Sequence, residues 1–178
     1  KEGVLDRAYA LLDELKKAGY RVKIDDSDKS PGWKFSEQEI LGIPTRIEIG
    51  PKDIEKNQVI VVRRDTREKI VVSLDEIATK LREILEQEQQ DMYDRAKEFL
   101  DSHIDTAVTM DEMVEKFKAN RGFVKACWCG DPECEGEVKY ATGGAATRCL
   151  IEDEEMISDK CIWCGKPAKH MAYWGKSY

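Results

Sequence analysis

Leu5, Ala8, Leu12 and Leu15 recur at helical intervals, and Gly19 closes the run. Tyr20-Arg21-Val22-Lys23-Ile24 then alternates apolar with polar, the period of a half-buried strand, expected over 20–25. Asp25 to Gly32 is a polar loop that Pro31-Gly32 interrupts. Ser36 stands three residues before Glu39, capping-box spacing that predicts a helix start, and Gly42 and Pro44 stop that helix. Ile43, Ile47 and Ile49 are the apolar positions of a strand over 43–49, with Arg46 on the opposite face and a turn at Gly50-Pro51. Val59-Ile60-Val61-Val62 is rich in β-branched residues, Asp65 to Glu68 is a tight connection, and Lys69-Ile70-Val71-Val72 returns. The two runs predict a β-hairpin of strands 58–64 and 69–73.

Ser73 and Glu76 repeat the capping spacing ahead of a long helix, whose Ile77, Leu81, Ile84, Met92, Ala96, Phe99 and Leu100 lie mostly on one stripe. Glu86 to Gln90 is polar enough to bridge two domains. Thr109 and Glu112 start a shorter helix with Met113 and Phe117 inward, ended by Gly122. Beyond it lie short β-like pieces, Phe123 to Ala126 and Val138 to Tyr140, and a small-residue loop from Thr142 to Ala146. The pattern thus divides into an α/β unit over 1–76, linking helices over 77–120 and a small α+β segment over 121–178. That last segment has too little core to stand unaided and calls for a staple. A helix followed by a strand, with no strand before it, looks like a βαβ unit without its first strand, so the chain is expected to be a fragment.

Composition narrows the class. Of 178 residues, 41% are hydrophobic and 37% charged, which suits a globular protein and not a disordered one. No apolar run approaches the roughly 20 residues needed to span a bilayer, and the first residues have no signal-peptide shape. Six cysteines in that setting point to a reducing compartment, the cytoplasm, and to metal ligation over disulfides. The net charge of −7 has the wrong sign for a simple nucleic-acid binder. Between Gly32 and Lys69, however, eight lysines and arginines face seven acids, leaving that stretch slightly positive.

Cys129 and Cys134 form one close pair, Cys161 and Cys164 another. Two turns that each offer two sulfurs can build a closed tetrahedral zinc site, which is structural because no position stays open for chemistry. Gly130 and Gly165 follow directly on a ligand, where a knuckle turn favours positive φ. Cys127 competes with Cys129, His170 could replace one sulfur, and Cys127 and Cys149 are otherwise left over; buried or redox cysteines without metal are the plain alternative. His103 has the setting of a structural histidine. No Ser/His/Asp arrangement, phosphate-cradling glycine loop or paired-carboxylate motif stands out, so no catalytic residue is expected.

The run Gly32-Trp33-Lys34-Phe35, then Glu37 and Glu39, then Gly42-x-Pro44-x-Arg46 and Gly50-Pro51-x-Asp53, resembles the anticodon-binding domain of prolyl-tRNA synthetases of the archaeal and eukaryotic-like type. Gln38 stands where that family usually has Trp. The cysteine pairs, the segment from Thr142 through Thr147-Arg148-Cys149, and the ending Tyr173-Trp174-Gly175-Lys176-Ser177-Tyr178 resemble its zinc-binding C-terminal domain. The resemblance implies an α/β anticodon-binding domain (a mixed sheet flanked by helices), a helical linker and a small α+β zinc-binding domain with ligands Cys129, Cys134, Cys161 and Cys164. It also implies that Glu39, Arg46 and Lys69 contact the two guanines that end a proline anticodon. Guanine N7 and O6 suit Arg or Lys, and its N1 and N2 donors suit a carboxylate. Trp33 and Phe35 either stack bases or fill the core. Glu39 has the alternative of capping its helix, and Arg46 that of pairing with Glu48 or Asp53. The parent implied is a class II ligase, a homodimer that joins proline to its tRNA with ATP. ATP and proline would bind its catalytic domain, for which no motif is present here, and Tyr178 would lie near the prolyl-adenylate site. The partners expected are proline tRNA and the parent's own catalytic domain, with no membrane and no DNA. A free-standing zinc-containing RNA-binding adaptor, or an accessory subunit with a borrowed anticodon-binding fold, is the other reading.

Overall fold

Helix α1 (Val4–Lys17) buries Leu11 and Leu15 on one face and carries Lys16 and Lys17 in its last turn, where cations suit the helix dipole. This is the start of the computed structural model, which describes residues 3–119 and 122–177. The chain divides into two compact units, residues 1–94 and 95–178.

The expected strand over 20–25 does not form. A strand needs a neighbour to share its ladder, and no strand of the described residues pairs with this segment. Tyr20 and Val22 still pack on the core, and the Tyr20 hydroxyl donates to the Ala78 carbonyl at 2.5 Å. Helix α2 (Pro31–Ile40) begins earlier than Ser36. Ser30 is its N-cap and accepts from the Trp33 N–H at 3.4 Å, and Pro31 occupies the first turn, where its missing N–H costs nothing. Ser36 and Glu39 therefore lie inside the helix, and Glu39 does not cap it.

The strand expected over 43–49 is shorter, β1 (Thr45–Glu48). A short helix, α3 (Pro51–Glu55), replaces the expected turn, with the Asp53 carboxylate accepting from the Gly50 N–H at 2.9 Å. The hairpin β2 (Gln58–Arg63) and β3 (Lys69–Ser73) forms as its pattern implies, and β1-β2-β3 is an antiparallel sheet. One face of this sheet packs on the core: Ile47, Val59, Val61, Ile70 and Val72 meet Leu11 and Leu15, closed by Ile77 and Leu81 of helix α4 (Ile77–Asp101). The register pairs Arg46 with Val62 and Val62 with Lys69. Residues directly opposite share a face, so Arg46 and Lys69 stand in one row on the face away from the core.

In the second unit, β4 (Ile104–Thr106) precedes α5 (Met110–Ala119). The capping box expected for α5 is present: Thr109 N–H donates to Glu112 at 3.2 Å, and Glu112 N–H to the Thr109 hydroxyl at 3.3 Å. After β5 (Phe123–Trp128), Val138 to Tyr140 lie in helix α6 (Pro132–Thr142), not in a strand. Asp131 caps this helix through the Glu133 N–H at 2.9 Å, Pro132 opens it, and Gly143 at φ 72° ends it. Strands β6 (Ala145–Ile151) and β7 (His170–Lys176) complete a mixed sheet of order β4-β5-β7-β6, with β4 parallel to β5. The core joins Met113, Phe117, Val124, Ala126, Val138, Ala172 and Trp174. The aromatic ending from Tyr173 is thus, through Lys176, part of an inner strand; Tyr178 lies outside the described residues. Gly122 is demanded by proximity, since a Cβ there would sit 1.7 Å from the His103 carbonyl oxygen. No helix of the described residues is long and apolar enough to cross a membrane.

Candidate functional site

The outer face of the first sheet carries a chain of charges. Arg46 donates from Nε to Glu48 and from Nη1 to Glu39, both at 2.9 Å, and its guanidinium lies 4.1 Å from the centroid of the Phe35 ring. Lys69 reaches the other oxygen of Glu48 at 3.5 Å, and Arg67 the other oxygen of Glu39 at 3.4 Å. Glu39, Arg46 and Lys69 are therefore brought together, joined through Glu48. Phe35, Gln38, Ile43, Val62 and Arg64 line a small pocket with Glu39 and Arg46. Ile43 lies beyond the end of β1 and faces this pocket, so the expectation that it points away from Arg46 fails.

Each position has a local cause. Strand alternation places Arg46 and Glu48, two residues apart, on the same face. Helix α2 lays Phe35 and Glu39, one turn apart, over that face. Trp33 belongs to no core, being 62% exposed with the Lys29 ammonium 5.5 Å from its ring centroid. The ion pairs are half-exposed and individually worth only about 0–1 kcal/mol, so their consequence is geometric more than energetic. Two carboxylates and an aromatic ring hold the Arg46 guanidinium in one plane, while its Nη2 donors have no partner among the described residues.

The second constellation is the cysteine set. The sulfurs of Cys129, Cys134, Cys161 and Cys164 all lie within 4.8 Å of one another. Cys129 sits 3.7 Å from Cys134 and 3.9 Å from Cys164. Cys134 comes from the first turn of α6, Cys129 from the turn after β5, and the other two from one tight turn in which Gly165 N–H donates to the Cys161 carbonyl at 3.0 Å. Gly130 (φ 85°) and Gly165 (φ 68°) take the left-handed conformation expected after a ligand. Burial pushes the Cys129 and Cys134 thiols up. Burial opposes ionisation at Cys161 too, but the backbone N–H groups of Cys164, Trp163 and Cys129 bring it down to about 7. Such a four-sulfur set can hold a metal ion. Cys127 is buried in β5 outside the set, Cys149 is exposed, and His170 instead packs its ring against Trp128. His103 is satisfied locally, with Nδ1 2.7 Å from the Phe99 carbonyl.

Residues 1–84 match the family model described as anticodon binding domain, and residues 110–178 match that of the prolyl-tRNA synthetase C-terminal domain. The chain belongs to the prolyl-tRNA synthetase family. Proline–tRNA ligases of Agathobacter rectalis, Lachnoclostridium phytofermentans and Lachnospira eligens are 57%, 56% and 54% identical to it over its whole length. The chain spans 37% of the length of each, so it corresponds to the C-terminal part of such an enzyme. The free-standing adaptor is not favoured, because these relatives carry the same region within longer ligases. Glu48 stands where the sequence offered it, as a partner for Arg46, since a residue two positions along a strand shares its neighbour's face. Arg67 had no signal, because turn geometry alone brings it to Glu39.

Proposed function

We propose that this region selects proline tRNA for a ligase that joins proline to that tRNA with ATP, by reading the guanines of the anticodon through Glu39, Arg46 and Lys69. The observation that carries the reading is Arg46, planar over Phe35 and flanked by two carboxylates, in one row with Lys69. A guanine presents acceptors at O6 and N7 and donors at N1 and N2. The guanidinium fork matches the acceptor edge, and a carboxylate matches the donor edge. An arriving base therefore replaces the Arg46–Glu39 contact and satisfies both partners, so neither charge is left unpaired. Glu48 keeps its own bond to Arg46 Nε and holds the fork in plane.

The remaining assignments follow from this reading. Residues 1–76 are the anticodon-binding part and 121–178 the metal-binding part, joined by 77–120. The metal is zinc. Zn–S bonds of about 2.3 Å at tetrahedral angles place sulfurs about 3.8 Å apart, close to the 3.7 Å from Cys129 to Cys134 and the 3.9 Å from Cys129 to Cys164. With four protein ligands the ion cross-links α6, the turn after β5 and the loop before β7, and it takes no part in catalysis. ATP and proline bind the catalytic domain of the parent, a cytoplasmic homodimer. Tyr178 lies near its prolyl-adenylate site. Deleting Ser177 and Tyr178 from the full-length enzyme lowers proline activation without unfolding this region; unchanged activation kinetics would remove that role.

Arg46→Ala tests the central assignment. Losing a bidentate base contact costs about 1–3 kcal/mol of discrimination, or roughly one to two powers of ten in affinity ratio. The loss falls on proline tRNA and spares a tRNA with a changed anticodon. Arg46→Lys rescues poorly, because an ammonium is a point charge without the fork. Binding measured to both tRNAs at two salt concentrations, with melting as a check on the fold, decides it. Equal weakening of both tRNAs makes Arg46 a backbone contact, and no weakening makes it only an ion-pair partner.

A further inference from the structure

The turn between β2 and β3 is held from beneath by buried charges that the anticodon reading does not use. Arg63 donates from Nε and Nη2 to the two oxygens of Asp65 at 3.0 and 2.9 Å. Its Nη2 also reaches Asp91 on α4 at 2.7 Å. The side chains of Arg63 and Asp65 are almost wholly buried, and Asp91 is in turn held by the Gln87 amide at 2.7 Å. The backbone closes the same turn: Arg63 N–H donates to the Glu68 carbonyl at 3.1 Å, and Arg67 N–H to the Arg63 carbonyl at 3.0 Å. Arg67 itself sits at φ 61°, uncommon for a residue with a Cβ and sustained only where the surroundings impose it.

Beyond this knot the Arg67 side chain is 79% exposed and extends to Glu39 at 3.4 Å. A contact so long and so exposed contributes little and cannot place the turn. The placement comes from the buried side, because a buried ion pair with satisfied hydrogen bonds fixes geometry more than it adds stability. The result is a cation held beside the Glu39–Arg46 cluster at an open tip. Bare exposure suits a phosphodiester, which needs charge and no shaped pocket.

We propose that Arg67 binds a backbone phosphate of the RNA loop whose bases the Arg46 cluster reads, and that Arg63, Asp65 and Asp91 are the positioning residues that hold it there. The proposal rests on the tRNA-binding reading above. It predicts a signature distinct from that of Arg46. Arg67→Ala weakens proline tRNA and an anticodon-changed tRNA alike, about three- to tenfold, and flattens the dependence of log affinity on log salt by about one. Asp91→Ala leaves Arg63 paired with Asp65 and shows the same signature more weakly. Asp91→Asn, which keeps an oxygen acceptor, retains affinity within about twofold of wild type. Because Asp91 acts through Arg67, the double variant binds no worse than Arg67→Ala alone, whereas independent sites would add.

The experiment is tRNA binding by the whole chain and these four variants, at several salt concentrations, with thermal melting alongside. The non-additive double variant and the rescue by Asn are readouts that general loosening of the fold would not produce. Additive losses overturn the positioning role of Asp91. Unchanged binding by Arg67→Ala, in a wild-type background that discriminates the two tRNAs, overturns the phosphate contact and leaves the anticodon reading standing. A wild-type chain that binds neither tRNA overturns the anticodon reading and this proposal with it.

Discussion

Cys134→Ser releases the metal and unfolds the second unit, while the first unit keeps its own melting transition. The four sulfurs come from three places in the chain, so an ion bound to them joins the loop before β7 to α6 and to the turn after β5, beside the Ile162 N–H that donates to the Cys127 carbonyl at 2.9 Å. Structural zinc contributes roughly 10–16 kcal/mol of apparent binding free energy in small domains. A unit of this size has a net stability of only about 4–13 kcal/mol, at ~0.05–0.15 kcal/mol per residue. On the proposed zinc assignment, the metal term is expected to decide whether residues 95–178 fold. Serine offers a hydroxyl that does not ionise near neutrality, so three thiolates remain and the tetrahedron is incomplete. Metal analysis is expected to find about one equivalent in the wild-type chain by the four-thiolate rule and none in Cys134→Ser. Cys149→Ser, exposed and outside the sulfur set, keeps its metal and its fold. A metal-free second unit with cooperative melting and protected amides would sink the idea.

Trp174→Ala is the most damaging change expected among the core side chains. Trp174 is 0% exposed, its indole stands edge-on to Trp128 at 6.2 Å between centroids, and its Nε1–H donates to the Ala126 carbonyl at 3.4 Å. It sits on β7, which pairs with β5 on one side and β6 on the other. Truncating a buried tryptophan costs about 3–5 kcal/mol, from lost transfer energy and the cavity left behind. In a unit of this length that lowers the melting midpoint by roughly 10–40 °C, since each kcal/mol is worth about 4–8 °C. Tyr140→Ala is the matched control: it removes an aromatic ring that is 89% exposed on α6 and leaves the midpoint nearly unchanged. Calorimetry on the metal-loaded chain distinguishes them. A Trp174→Ala transition within a few degrees of wild type would mean that the metal alone carries this unit.

Sequence patterning alone identified those elements whose cause is local. The hairpin of β2 and β3 follows from two β-branched runs with a short polar turn between them, and both strands form. Helix α5 follows from Thr109 and Glu112, whose reciprocal bonds need only neighbouring residues. The cysteine spacing called for a four-sulfur site, and those four sulfurs meet. Elsewhere a helix cap that the hydrophobic pattern did not point to set the element. Ser36 was the expected start of α2, but the helix begins within the stretch read as a polar loop, where Ser30 caps it and Pro31 is tolerated in the first turn. Val138 to Tyr140 were too short a run to tell strand from helix, and Asp131-Pro132 and Gly143 bracket them as helix. Residues 20–24 have a strand's alternation yet no strand, because a ladder also needs a partner from elsewhere in the chain.

The site divides along the same line. The family resemblance implied Glu39, Arg46 and Lys69 one by one, and said nothing about whether they touch. Strand register sets Arg46 and Lys69 in one row across Val62, and the packing of α2 lowers Glu39 and Phe35 onto Arg46. The Arg63 knot, with Asp91 28 positions away in the chain, was invisible for the same reason. Local chemistry sets backbone conformation over a turn or a strand and hence the residue types offered at each position. Which distant side chains meet depends on how faces bury against one another, and that is decided only when the sheet and its helices pack.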